Sequence, residues 1–141
     1  MEDEIRGDRT MKKIGVINSE ISSVLAKLGH TDSIVIGDCG LPIPEQVKRI
    51  DLALKLGVPS FIETLDTVLE EMQVESIVIA EEISSYNKKI EAQIKERFPN
   101  IVIEYVSHKE FKSITCNAKA IIRTGEATPY ANIILKSGVV F

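Results

Sequence analysis

Two histidines and one aspartate are the side chains of this sequence best suited to acid–base chemistry. His30 and His108 are its only histidines, so any imidazole chemistry must rest on them. Asp38 follows a short apolar run that begins soon after His30. Ser107 and Glu110 form a capping-box pattern, which places His108 in the first turn of a helix, where the helix dipole lowers the pKa of an imidazole. A neutral His108 and a protonated His30 beside a carboxylate would suit paired acid and base roles near neutral pH.

The same residues also have ordinary structural interpretations. A histidine just after a helix often bonds only a backbone carbonyl, and an aspartate between glycines often forms only a turn. Cys39, beside Asp38, is more typical of a buried thiol than of a nucleophile. Gly37 and Gly40 do not form a dinucleotide-binding or phosphate-binding fingerprint. The spacing of His, Cys, Asp and Glu residues is not typical of a metal site.

Helices and strands alternate along the chain and must position these residues. Asn18 is a suitable N-cap, and apolar residues three and four positions apart then predict a helix that ends before Gly29, which is expected to be left-handed. Further helices are predicted from about Pro59 to Met72, over 84–98, and after Ser107. Strands are predicted over 33–37, 50–54, 75–80, 101–106, 119–123 and 131–135.

This order predicts an α/β fold with three α/β/α layers and a mixed, mostly parallel central sheet of about six strands. The last two strands lack room for a crossover helix, so that pair is expected to be antiparallel. Ligands of open α/β sheets bind beyond the carboxyl ends of strands. Asp38, His108 and the turn at 124–130 follow such ends, and Tyr130 and Asn132 share one face. His30 precedes its strand, so it is expected at the opposite edge.

Composition narrows the class of protein further. The chain has 141 residues, 44% hydrophobic and 27% charged, which predicts one globular domain over 11–141. A net charge of −4 argues against general nucleic-acid binding. Residues 1–10 are polar and indicate a natural extension or a cloning remnant. The apolar runs are too short to cross a membrane, and the two cysteines are expected to be reduced thiols in a cytoplasmic protein.

Several motifs resemble those of one enzyme family. From Met11 to Phe141 the chain closely resembles the D-ribose pyranase family, which is related to the L-fucose mutarotases. The resemblance covers essentially the whole chain after the first ten residues. The motifs that carry it lie at 28–32, 37–44, 57–61, 75–83, 122–126 and 129–135.

The resemblance implies a cofactor-free isomerase that interconverts the pyranose and furanose forms of D-ribose and supplies ribofuranose for phosphorylation. The proton donor of the family matches His30. Its substrate-binding residues match Asp38, His108, Tyr130 and Asn132, with Lys112 expected near the sugar. Family members form rings of subunits, commonly a homodecamer of two stacked pentamers, with sites between subunits. Such an assembly would let His30 and Asp38 serve one site from opposite edges of the fold.

Other functions stay open at this point. The chain could be a mutarotase of another sugar such as L-fucose, because the choice of sugar depends on pocket shape. It could also bind a sugar without catalysing a reaction. A metal-dependent hydrolase is a further alternative that rests on the two histidines and the aspartate.

Overall fold

A six-stranded sheet forms the centre of the fold. The computed structural model describes residues 11–141, so the predicted extension over 1–10 lies outside the described residues. The strands are β1 (Ser33–Gly37), β2 (Lys48–Asp51), β3 (Val74–Ala80), β4 (Val102–Val106), β5 (Ala120–Arg123) and β6 (Ile133–Ser137). The helices are α1 (Ser19–Lys27), α2 (Phe61–Leu69), α3 (Ile83–Tyr86), α4 (Lys88–Arg97) and α5 (His108–Ile114). The strand order across the sheet is β2-β5-β1-β6-β3-β4.

The sheet is mixed, as predicted, because β6 runs antiparallel to both of its neighbours, β1 and β3. All other pairs are parallel. The last two strands do run in opposite directions, but they are not adjacent, because β1 lies between them. The segment between them crosses the carboxyl end of β1: the Thr124 N–H and hydroxyl both donate to the Gly37 carbonyl, at 3.0 and 2.7 Å. This crossing places β6 on the far side of β1.

Helices cover both faces of the sheet and bury its apolar residues, which confirms the three-layer α/β/α arrangement. On one face, α1, α2, α3 and α4 pack against the sheet through residues such as Ile21, Phe61, Leu65, Ile83 and Ile94. On the other face, α5 contributes Phe111, which contacts a smaller cluster around Val35, Val78 and Ile134. Both faces are therefore apolar, as expected for a sheet covered on both sides.

Side-chain caps set the starts of α1, α2 and α5, and two of these caps, Asn18 and Ser107, are the predicted ones. The side chains of Asn18, Ser60 and Ser107 each accept a hydrogen bond from a backbone N–H in the first turn of α1, α2 and α5, respectively. Pro59 lies before this cap and not inside the first turn, so α2 begins slightly later than predicted. Strand β2 also differs, because it begins at Lys48 and ends at Asp51 rather than covering 50–54.

Two predicted backbone features are wrong. Gly29 is not left-handed; the positive φ falls at Thr31, at 73°, because the Asp32 carboxylate accepts from the Gly29 N–H at 2.8 Å and forms a turn there. The helix predicted over 84–98 is two helices. Asn87, with φ −153° and ψ 60°, ends α3 and caps α4.

None of the helices in residues 11–141 is both long and apolar enough to cross a membrane.

Candidate functional site

Asp38 lies directly after β1 and is tied to Asn132, which precedes β6. The Asp38 backbone N–H donates to the Asn132 Oδ1 at 2.8 Å. Gly37 permits this close approach, since a Cβ on it would lie 2.6 Å from the Leu41 Cδ2 and 3.1 Å from that Oδ1. The Asp38 Oδ1 accepts from the Gly40 N–H at 3.0 Å. A cleft of about 240 Å³ opens here, lined by residues 38–40 on one side and 126–129 on the other.

His108 and Tyr130 form an aromatic contact at the same edge of the sheet. Their ring centroids are 5.1 Å apart and the rings are nearly perpendicular. Tyr130 has a left-handed backbone with φ 58°, an uncommon conformation for a residue other than glycine. Tyr86, the last residue of α3, also packs on Tyr130, with 5.8 Å between ring centroids. The backbone N–H of His108 donates to both carboxylate oxygens of Glu82, at 2.9 and 3.1 Å.

Burial shifts both ionisable groups of this edge toward their uncharged forms. Burial lowers the pKa of His108, and the positive charge of Lys112 lowers it further, while the carboxylates of Glu82 and Asp38 oppose this. Burial raises the pKa of Asp38, although its hydrogen bond with Gly40 opposes the change. The predicted lowering of the His108 pKa agrees with this direction, and burial is its largest cause.

Two buried polar atoms at this edge have no hydrogen-bond partner within residues 11–141. They are the His108 Nδ1 and the Asn132 Nδ2. Buried polar atoms are nearly always paired, so these two are available to a polar ligand. Together with the Asp38 carboxylate and the Tyr130 hydroxyl they offer both donors and acceptors, which suits a molecule rich in hydroxyl groups.

His30 lies at the opposite edge of the sheet, as its position before β1 predicts. Its Nε2 is 2.6 Å from the Glu75 Oε1, and both side chains are about half exposed, at 50% and 44%. The five residues of β1 separate this edge from Asp38 by about 16 Å, taking roughly 3.3 Å per residue. Within one chain, therefore, His30 does not join the other predicted site residues. Lys112, the remaining predicted residue, is exposed and lies one helical turn after His108.

Sequence reasoning missed the residues that support this arrangement. Glu75 contacts His30, Glu82 binds the backbone of His108, Tyr86 packs on Tyr130, and Asn87 bonds the segment before Tyr130. All four lie in the stretch 75–83 that carries the family resemblance or within four residues after it. The resemblance is therefore the one sequence signal that covers this region.

The histidine, cysteine and acidic side chains of residues 11–141 do not converge in a group of three that could hold a metal ion. Cys39 is partly buried and Cys116 exposed, and both are free thiols. Cys39 contributes to the cleft beside Asp38.

The pKa of His108 should respond to its charged neighbours in a defined way. In a titration of the imidazole C2 proton by NMR, wild-type His108 is expected below the usual value of about 6.5. Lys112→Met should raise this pKa by removing a positive charge, and Glu82→Gln should lower it by removing a negative one. Lys109→Met, an exposed neighbour on the same helix, is the matched control and should leave it unchanged. A His108 pKa at or above the usual value would contradict the described burial.

The same shifts determine how stability depends on pH. The folded-state pKa of His108 lies below its unfolded value, so the unfolded chain binds more protons just below pH ~6.5 and the free energy of unfolding rises with pH there. Asp38 acts in the opposite sense. Its pKa is raised from 3.8, so its contribution to stability falls as pH rises from 3.8 through the raised value.

Comparisons with known proteins show which family this chain resembles. The model of the RbsD / FucU transport protein family matches residues 11–140. A D-ribose pyranase of Bacillus cytotoxicus is 61% identical over 131 residues, which are 93% of this chain and 100% of that protein. The structure of Bacillus subtilis RbsD complexed with D-ribose is 52% identical with a TM-score of 0.90, covering 93% of this chain and 100% of that one. A fucose mutarotase in complex with L-fucose from Streptococcus pneumoniae is 29% identical with a TM-score of 0.77, covering 89% of this chain and 95% of that one.

Proposed function

The chain belongs to the RbsD / FucU transport protein family, and we propose that it is a D-ribose pyranase, an isomerase that interconverts the pyranose and furanose forms of D-ribose. The observation that carries this proposal is the 61% identity to a D-ribose pyranase over the whole length of that protein. The edge formed by Asp38, His108, Tyr130 and Asn132 supports it, because its donors and acceptors suit a sugar.

The proposed reaction needs only proton transfers. Ring opening of the pyranose delivers a proton to the ring oxygen and removes one from the anomeric hydroxyl, which leaves an open-chain aldehyde. Attack of a different hydroxyl on that aldehyde closes the furanose, with the two protons moving in reverse. Positioned acid and base groups accelerate such steps by roughly 10²–10⁴-fold each, and the chemistry requires neither a redox cofactor nor a metal.

The residues of this chain have complementary properties for these steps. In the proposal, His30 donates the proton to the ring oxygen, held by its contact with Glu75. Asp38 accepts a hydrogen bond from a sugar hydroxyl, and the Asn132 Nδ2 donates one. His108, uncharged because burial lowers its pKa, can accept through its unpartnered Nδ1. Tyr130 and Lys112 complete the proposed set of sugar-binding residues.

We further propose that the site lies between subunits of a ring-based homo-oligomer, a homodecamer by resemblance to the family. The supporting observation is the separation of His30 from Asp38 by the length of β1. A neighbouring subunit that presents its His30 edge to the Asp38 edge would complete the site without any change in the fold. Residues 11–141 would then act as one domain in a cytoplasmic assembly that supplies ribofuranose for phosphorylation.

Saturation-transfer NMR of D-ribose tests the proposal directly. The wild-type protein is expected to accelerate exchange between the pyranose and furanose anomeric signals, and to act more weakly on L-fucose. Its 61% identity to a pyranase exceeds its 29% identity to a fucose mutarotase, which makes fucose the weaker alternative. Binding of D-ribose without faster exchange would instead identify a non-catalytic sugar-binding protein, and failure to bind or convert ribose would overturn the proposal.

A further inference from the structure

The break between α3 and α4 is built around a buried asparagine whose hydrogen-bonding groups are all used. Asn87 is only 8% exposed. Its Nδ2 donates to the Thr128 Oγ1 at 2.9 Å and to the Pro129 carbonyl at 2.8 Å. Its Oδ1 accepts from the Ile90 N–H at 3.4 Å. One amide thus caps a helix and holds a distant loop.

The held loop leads directly into the edge formed by Asp38, His108, Tyr130 and Asn132, which we call the sugar-binding edge. Tyr130 follows Pro129 in a left-handed conformation, with φ 58°, and such backbone strain persists only where the surroundings impose it. The Tyr130 carbonyl then accepts from the Asn132 N–H at 2.9 Å. The position of Pro129 therefore affects the direction of both the Tyr130 ring and the Asn132 amide.

A hydrogen-bonded chain anchors this loop at its other side. The Thr128 hydroxyl, which accepts from Asn87, donates to the Glu126 Oε2 at 2.7 Å. The Glu126 Oε1 accepts from the Phe61 N–H at 2.9 Å, at the start of α2. The loop is thereby fixed between two helix N-termini, with Asn87 providing the contacts nearest to Tyr130.

An aromatic neighbour of the site lies directly before the break in the helix. Tyr86, the last residue of α3, packs on Tyr130, with 5.8 Å between ring centroids. Asn87 is the next residue along the chain, so it adjoins Tyr86 in sequence and holds the loop before Tyr130 by hydrogen bonds.

We infer that Asn87 is a positioning residue for the sugar-binding edge, holding residues 128–130 so that Tyr130 and Asn132 meet the sugar in a fixed geometry. This inference rests on the proposed function. It assigns Asn87 no direct contact with the sugar. Its loss should therefore weaken ribose binding more than it alters the proton-transfer steps.

Asn87→Ser tests the inference most cleanly. Serine is a good N-cap, so α4 keeps its cap, while both bonds to the loop are lost. The KM for D-ribose, measured by NMR exchange, is expected to rise about tenfold or more, with a smaller change in kcat, because misplaced binding groups weaken substrate positioning. The dissociation constant for D-ribose, measured by calorimetry, should rise by a similar factor.

Two further variants separate positioning from folding. Thr128→Val removes the hydroxyl that accepts from Asn87 and, like Asn87→Ser, should raise the KM for D-ribose. Thr128→Ser keeps this hydroxyl and should have a KM close to the wild-type value. These variants keep the test valid if Asn87→Ser does not fold. Asn18→Ala, which removes the cap of α1 away from the site, controls for the loss of a helix cap and should lower stability without raising the KM.

The possible outcomes separate a failure of the proposed function from a failure of the inference about Asn87. If wild-type protein does not bind or convert D-ribose, the proposed function fails. If wild type is active and Asn87→Ser or Thr128→Val loses thermal stability with an unchanged KM, Asn87 has only a structural role and the inference is overturned. An unchanged KM and unchanged stability in both variants would overturn it equally.

Discussion

Replacing His30 with alanine is expected to remove the acceleration of pyranose–furanose exchange almost completely. His30 is the proposed donor of the proton to the ring oxygen, and loss of a positioned acid typically costs roughly 10²–10⁴-fold in rate. The proposed sugar-binding residues of the same chain lie at the other edge of the sheet, so the dissociation constant for D-ribose is expected to change much less than the rate. Saturation-transfer NMR provides the rate, and calorimetry provides the affinity.

The stability of His30→Ala must be measured as well, to show that a loss of activity does not come from unfolding or from loss of assembly. Because the side chain of His30 is half exposed and its contact with Glu75 is to another half-exposed side chain, its removal should leave the melting temperature and the oligomeric mass nearly unchanged. Lys27→Ala, on a nearby exposed surface of α1, should retain wild-type exchange. If His30→Ala converts D-ribose at the wild-type rate, another group must donate the proton and the assignment of His30 fails.

Mixing two inactive variants should restore activity if the site lies between subunits. His30→Ala and Asp38→Ala would each be inactive when assembled alone, because every site lacks one group. In assemblies formed at random from equal amounts, about a quarter of the sites between subunits would combine an intact His30 with an intact Asp38 from its neighbour, by the statistics of a symmetric ring. About a quarter of the wild-type exchange rate is therefore expected.

This experiment needs assemblies in which the two variants share one ring. The two variants should be unfolded together and refolded, or co-expressed, since pre-formed assemblies do not exchange subunits by simple mixing if they are stable. A single protein carrying both substitutions is the matched control and should stay inactive when mixed with itself. Recovery equal to that control would mean that each site draws both groups from one chain, which would require the loops to bring His30 to Asp38.

Much of the fold could be predicted because its signals are local. The bounds of β1 match the predicted 33–37 because a β-branched run is bounded by a turn on one side and by Gly37 on the other. The caps Asn18 and Ser107 were identified for the same reason, since an N-cap needs only its own side chain and the next turn. These elements depend on residues close together in sequence.

The features that could not be predicted depend on contacts between distant parts of the chain. Asn87 breaks a helical pattern because its side chain bonds Thr128 and Pro129, more than forty positions away in sequence. The central place of β6 follows from the crossing of residues 124–132 over the end of β1. Tertiary hydrogen bonds of this kind override local propensity and leave no mark in the periodicity.

The candidate site divides in the same way. Asp38, His108 and the turn at 124–130 could be placed at one edge, because each follows the carboxyl end of a predicted strand, whereas Asn132 was assigned to the site only by the family resemblance. The contacts of Glu82 with His108 and of Glu75 with His30 could not be predicted, since a carboxylate in a polar stretch gives no indication of which distant group it contacts. The family resemblance indicated which residues belong to the site. The fold shows which of these residues lie close together within one chain.

The place of β6 has a consequence for the order of folding. Within the described residues, the half-sheet of β2, β5 and β1 joins the half-sheet of β3 and β4 through β6 alone, and β6 is the last of these strands in chain order. The two half-sheets therefore share no hydrogen-bonded strand until β6 pairs with both. Long-range pairing of this kind slows folding, and the edges of β1 and β3 that face β6 keep unpaired backbone groups until then. Such open edges are sites of intermolecular strand pairing, so a partly folded chain is most vulnerable to aggregation before β6 has paired.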